Sequence, residues 1–203
     1  MKRWVKALSI GLALTFLISL CGFSYDCEEI RQQVLRLHVL ANSDSEEDQQ
    51  LKLKVRDAVI EKAAGIFDGI KEEDDAKAVA QEHLDALTRT AQQAVYDAGY
   101  EYPVSACLTK MYFETRAYDA GTMPAGMYDA LRITIGKGEG KNWWCVAFPP
   151  LCVASATDNA ATLSDVLTDS QQDIVEQPQK YEVRFKLVEW MEDIGNAIRE
   201  WTA

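Results

Sequence analysis

LRLHVLANSDSEEDQQLKLKVRDAVIEKAAGI, residues 35–66, contains the change of period that decides how this chain folds. In its first part Leu35, Leu37, Val39 and Ala41 alternate with Arg36, His38 and Leu40, the two-residue period of a half-buried strand. Asn42-Ser43-Asp44-Ser45 breaks the alternation. Ser45 followed by Asp48 resembles a capping box, with Asp where Glu or Gln is usual. Beyond it Leu51, Val55, Ala58, Val59 and Ile66 recur at helical steps, and Gly65 and Gly69 bracket the end of the helix.

The pattern continues outward from this segment. Lys71 to Asp75 is a charged link, and a second helix is predicted over about 74–98. Val79, Ala80, His83, Leu84, Leu87, Ala91, Ala94, Val95 and Ala98 form its buried stripe, and Gly99 is placed to end it. The chain then turns β-rich. Tyr102 to Phe113 reads as a strand, with Pro103 at its start. Met123-Pro124-Ala125-Gly126 reads as a turn. Met127 to Ile135 and Trp143 to Phe148 read as strands joined by the Gly-rich link 136–142, an antiparallel hairpin. Residues 154–179 are polar and read as a surface loop. Tyr181 to Trp201 is predicted as a closing helix with Phe185, Val188, Met191, Gly195 and Ile198 on one stripe. The expected fold is a single α+β domain: a strand, two helices, an antiparallel sheet and a C-terminal helix.

The N-terminus carries a different message. Lys2, Arg3 and Lys6 precede an uncharged run from Ala7 to Cys21, the order of a secretory signal peptide. Gly22-Phe23-Ser24 offers small-x-small, which places cleavage after Ser24 and makes residues 25–203 the exported domain. An uncleaved signal anchor is the competing reading, because the run is only slightly short of the roughly 20 residues a span needs. A lipid anchor on Cys21 is disfavoured by Leu20, where a small residue is expected. The chain carries a net charge of −11, and the leader holds three of its basic residues. This charge argues against nucleic acid and anionic membrane surfaces and suits a partner that presents basic groups. Beyond the leader lie Cys27, Cys107, Cys145 and Cys152, an even set in an exported chain, with three connectivities open.

No constellation of catalytic residues stands out. The link 136–141 is no phosphate loop, since Ile135 occupies the position of the first glycine and Asn142 that of the Ser or Thr. His38 and His83 have no neighbour at metal-ligand spacing, so no metal or other cofactor is expected. Cys145, His38 and Asn42 are the residue types of a cysteine hydrolase, and a secreted hydrolase or envelope-associated enzyme is the alternative reading. Trp143-Trp144 on a strand must point to opposite faces, one into the core and one onto the second face.

Leu37 to Gln49, continuing from Leu51 through Val59, resembles the opening motif of the stage II sporulation protein R family. Pro124 to Tyr128, the block GEGKNWWCVAFPPLC at 138–152, and Glu182 to Trp190 are similar to the family's other blocks. The resemblance spans roughly residues 30–200. It implies a protein made in the forespore of endospore-forming bacteria and exported into the space between the two septal membranes. There it would trigger a membrane-embedded sporulation aspartic protease that processes a pro-sigma factor. On that reading the chain is a signal with no catalytic residue, no nucleic acid and no small-molecule substrate. His38, Asn42, Ser43, Asp44, Arg56, Asp57, Asn142, Trp143 and Trp144 are the candidates for touching the protease. Cys145 and Cys152 lie inside a matching block, flank Pro149-Pro150, and are expected to form a disulfide after export. Cys27 and Cys107 stand outside the family pattern and would pair with each other as a local addition.

Overall fold

The computed structural model describes residues 2–150 and 161–202. In chain order the elements are α1 (Lys2–Gln32), β1 (Leu35–Leu40), α2 (Glu46–Ile66), α3 (Glu73–Glu82), α4 (Leu84–Asp97), β2 (Val104–Phe113), β3 (Arg116–Tyr118), β4 (Gly121–Met123), β5 (Gly126–Ile135), β6 (Asn142–Phe148), α5 (Leu163–Val166), α6 (Asp169–Glu176), a 3-10 turn (Pro178–Lys180) and α7 (Glu182–Thr202). They gather into two compact units. One comprises Gln32–Phe113 and Met127–Thr168, the other Met1–Arg31, Glu114–Gly126 and Asp169–Ala203.

The first unit is a four-stranded sheet in the order β2-β5-β1-β6 with helices on one face. β1 lies between β5, to which it is parallel, and β6, to which it is antiparallel. Leu35, Leu37 and Val39 of β1, Leu131, Ile133 and Ile135 of β5, and Cys145 and Ala147 of β6 pack with Leu51, Val55 and Val59 of α2 and Leu87, Ala91 and Val95 of α4. The two-residue period of the strands meets the helical period of α2 and α4 in one core. Ser45 caps α2 as its spacing predicts, its side chain accepting from the Asp48 N–H. At the end of α4 the Gly99 N–H bonds to the Tyr96 carbonyl and the Tyr100 N–H to the Val95 carbonyl. With Gly99 at φ +85° this is a complete Schellman closure.

Four expectations are corrected here. The strand at 35–40 is buried along its whole length, not half-buried, because α2 and α4 cover one face and the rings of Trp144, Phe113 and Tyr128 pack on His38 and Arg36 on the other. β5 and β6 do not form a hairpin, since β1 is inserted between them and the sheet is mixed. The helix expected over 74–98 is two helices meeting at His83, which is exposed. The apolar stripe keeps its step through that junction, so periodicity gives no sign of it. The stretch read as a surface loop holds α5, α6 and the 3-10 turn. A Thr162–Asp165 capping box starts α5, and Leu163, Ile174 and Val175 are buried. Their wide spacing hid short helices whose mates are distant in sequence. Residues 151–160, which include part of that stretch and Cys152, lie outside the described residues.

The second unit joins the two ends of the chain. Trp4, Leu8, Leu12, Phe16 and Ile18 of α1 are exposed, and the helix is long and apolar enough to cross a membrane. The helix does not stop at the expected cleavage point. Phe23, Cys27 and Ile30 on its last turns are buried. Phe23 stacks on Tyr181 at 5.5 Å and meets Phe185 edge-on at 5.3 Å. Arg31 donates to the Ala125 carbonyl at 2.6 Å and pairs with Glu28 and Glu192. The turn expected at 123–126 is the passage from β4 into β5. The β3–β4 hairpin before it escaped the sequence reading because each strand has three residues. Gly121, at φ +149°, packs against Val175, where a Cβ would overlap the valine side chain. On α7, Phe185 and Val188 are buried as the stripe predicts, whereas Met191 and Ile198 are exposed.

Leu37→Ala, in the middle of the central strand, is expected to cost about 2–5 kcal/mol, the range for emptying a closed core site. Urea unfolding followed by circular dichroism measures it. A loss within about 0.5 kcal/mol of zero, the value typical of surface sites, would contradict the central placement of β1.

Candidate functional site

The nine residues singled out as candidates for touching a partner all lie on the sheet unit, where they separate into three groups. The first is the turn between β1 and α2. Asp48 is buried on the first turn of α2, and its carboxylate accepts from Asn42 Nδ2 at 2.8 Å and from Ser43 Oγ at 2.5 Å. In an ordinary capping box this side chain would turn back to the backbone of Ser45. Burial pushes the Asp48 carboxyl up, but hydrogen bonds from Ser43, Asn42 and Tyr102 outweigh burial and hold it below its usual range. Asn42 Oδ1 in turn accepts the Lys137 N–H at 3.0 Å, and Asp44 Oδ1 the Lys141 N–H at 2.7 Å. The Ala41 and Asn42 carbonyls take the N–H groups of Gly140 and Glu139. Lys52, also buried, donates to the Lys141 carbonyl at 2.9 Å.

The turn is therefore a cradle for the connection from β5 to β6, which must pass the end of β1. The glycines of that connection answer to the same geometry. Gly136 and Gly138 have φ of +57° and +66°. A Cβ on Gly140 would run into the Ser43 carbonyl.

The second group lies on the sheet face opposite α2. β1 and β6 are paired so that His38 stands beside Trp144, and Leu37 beside Cys145. The His38 ring stacks on the Trp144 indole at 4.0 Å, nearly parallel, and Nε2 meets Asn142 Oδ1 at 2.9 Å. Asn142 thus holds the proton on Nε2, and His38 Nδ1 is buried without a hydrogen-bond partner. Burial lowers the His38 pKa, the Asn142 bond opposes this, and Arg132 reinforces it. Trp144 meets Phe113 edge-on at 4.8 Å. Fully buried Arg36 places its guanidinium over Phe113 at 4.3 Å and Tyr128 at 4.8 Å, while Nε donates to the Cys145 carbonyl at 2.9 Å. The result is a continuous cation–aromatic layer. Sequence reasoning missed Arg36, Phe113, Tyr128 and Arg132 in it. The available signal was Arg36 and His38 alternating with Leu35, Leu37 and Val39.

The third group is on the helix side. The Arg56 guanidinium lies over the Trp143 ring at 4.2 Å and also pairs with exposed Asp57 at 2.6 Å. Trp143 packs against the core and Trp144 lies on the other face, as the alternation requires.

This geometry takes the hydrolase set apart. Cys145 is on the helix face with Leu37, His38 is on the opposite face, and Asn42 is bound to Asp48 and Lys137. The expected pairing of Cys27 with Cys107 is also corrected, since both are free thiols, as is Cys21. Cys27 is enclosed among the buried side chains of α1, and Cys107 is exposed on β2. Cys145 is buried, and the partner expected for it lies outside the described residues.

Removing the cradle with Asn42→Ala and Asp44→Ala together is expected to lower stability by about 1.5–4.5 kcal/mol, from three lost hydrogen bonds at roughly 0.5–1.5 each. Amide exchange at Lys137 and Lys141 should rise with it. Unchanged melting with lost biological activity would instead mark these residues as partner contacts.

His38 also gives a pH signature. Its folded-state pKa is depressed, so the unfolded chain takes the proton first as pH falls through about 6.5. The stability that His38 contributes is present above that pH and is lost as pH falls towards the folded-state value. Wild type should therefore lose more stability than His38→Gln between about pH 7.5 and 5, as measured by urea unfolding. Equal losses would contradict the buried neutral imidazole.

The family model described as stage II sporulation protein R (spore_II_R) matches residues 31–158. That span takes in the cradle, the connection it holds and the cation–aromatic layer. Stage II sporulation protein R of Bacillus subtilis (strain 168) is 35% identical over 185 residues, covering 81% of this chain and 83% of that protein. No solved structure matches. With a family model over more than half of the chain and a relative aligned along most of its length, the chain belongs to the stage II sporulation protein R family.

Proposed function

We propose that this protein is an exported signal of endospore formation that binds and activates a membrane-embedded aspartic protease, which then processes a pro-sigma factor. Membership of a sporulation family carries this reading. The apolar α1 supports export, as either a removable leader or a retained anchor. Signalling by binding needs a rigid surface, and the cradle and the cation–aromatic layer supply one by tying β1, β6 and the loop between β5 and β6 into a single block. The rival hydrolase reading loses its pairing, because His38 and Cys145 point to opposite faces of the sheet.

In this reading Cys145 and Cys152 form a disulfide once the chain reaches an oxidising compartment. Cys145 is not among the free thiols, which is consistent with that pairing. Half-buried Arg56 with exposed Asp57, the partly exposed edge of Trp143 and the rim of the cradle are the surfaces offered to the protease.

Co-expression with the protease and its pro-sigma substrate in a non-sporulating host tests the proposal. Substrate processing should appear only when all three are present and should saturate with the amount of this protein. A folded His38→Gln variant that binds the protease normally yet gives no processing at saturation would refute signalling by binding alone. It would assign His38 a chemical step.

A further inference from the structure

The first turn of α3 carries Glu73, Asp74 and Asp75, and acids at a helix start are ordinary when they face water. Glu73 does not face water. It is 8% exposed, and its Oε1 has no hydrogen-bond partner. The charged groups facing it are Asp129 on β5, Lys77 and Asp74 on α3, and Lys110 on β2. Lys77 is committed to Asp129 at 2.6 Å. Glu73 is thus buried without a cation of its own, and burial, followed by Asp129, pushes its carboxyl up to about 7. A buried, poorly compensated carboxylate is destabilising, and such groups concentrate where a fold serves a binding purpose.

Glu73 lines a cavity of about 310 Å³ within the sheet unit, together with Gln33, Lys71, Glu72, Asp74 and Asp165. Gln33 brings a second buried acceptor, Oε1, again without a donor. Among the described residues Lys71 is the one cation in this lining, set against four carboxylates. The lining is therefore rich in carboxylates and carries a net negative charge. Among the described residues no three His, Cys, Asp or Glu side chains are grouped to hold a metal ion. The complement is an organic cation bearing several N–H donors.

We propose that this cavity receives the ammonium or guanidinium end of a lysine or arginine side chain from a basic segment of a partner protein. That the partner is the membrane protease rests on the function proposed above; the site itself does not. The chain's net charge of −11 draws such a segment in, and the cavity gives it one defined seat.

The test is an NMR titration of the full chain in detergent micelles with acetyl-trilysine amide and acetyl-triarginine amide. Acetyl-triglutamine amide and calcium chloride serve as comparisons. Saturable shifts at the amides of Gln33, Glu73 and Asp165 are expected with the basic peptides and not with the glutamine peptide. Glu73→Gln should weaken binding about tenfold, the worth of one charge-assisted hydrogen bond. Lowering the pH from about 8 to 5.5 should act in the same direction, because Glu73 takes up a proton through about 7. Gln33→Met, which leaves every charge in place, should also weaken binding and serves if the Glu73 variant fails to fold. Equal response to the glutamine peptide, shifts spread evenly over the acidic surface, unchanged affinity in both variants, or saturation by calcium alone would each overturn the proposal. Site-specific peptide binding without any effect of these variants on substrate processing would keep the site and remove the protease as its occupant.

Discussion

The insertion of β1 between β5 and β6 governs most of what else the chain must do. Paired on both sides, β1 has no free edge, and both of its faces are covered as well, so every residue from Leu35 to Leu40 needs a buried solution. The apolar positions find theirs against α2 and α4. Arg36 and His38 find theirs in aromatic rings and a carbonyl oxygen. The same insertion prevents a tight hairpin between β5 and β6. The connecting backbone has to pass the end of β1, where its N–H groups need acceptors. Asn42 and Asp44 provide them, and Asp48 fixes Asn42 from beneath.

Two buried carboxylates show how differently this acidic chain treats charge. Asp48 is enclosed but receives hydrogen bonds from several donors and is held below its usual range. Glu73 is enclosed with an oxygen that receives none, and is pushed the other way. Burial raises both, so the difference lies in the donors that surround them. Asp48 belongs to the architecture of the turn. Glu73 is a departure from the rule that buried polar groups find partners, and it adjoins a cavity of matching polarity.

In the second unit the two ends of the chain depend on one another. The last turns of α1 contribute Phe23 to an aromatic cluster with Tyr181 and Phe185, and Arg31 to a junction with Ala125 and Glu192. A helix that begins apolar and exposed thus ends as part of a folded core. A cut after Ser24 would leave Cys27, Ile30 and Arg31 in that core and take Phe23 out of it.

Read alone, the sequence determines the elements that rest on local periodicity and local chemistry. The two-residue alternation from Leu35, the Ser45 cap, the helical stripe of α2, the Gly99 closure of α4 and the opposed faces of Trp143 and Trp144 are all properties of near neighbours along the chain. The apolar N-terminal segment is equally legible, since charge followed by an apolar run needs no tertiary context. The family blocks are readable too, but not their contacts: Asn42 and Asp44 read as candidates for a partner and are bound to the loop at 136–141, while Ser43 is bound to Asp48. Tertiary structure alone decided that β1 parts β5 from β6, that His38 and Cys145 face away from each other, and that Glu73 is buried while Asp74 beside it is exposed. Strand order depends on long-range pairing between segments about a hundred residues apart. The state of a carboxylate depends on which donors those pairings bring near it. Neither quantity is carried by the spacing of residues along the chain.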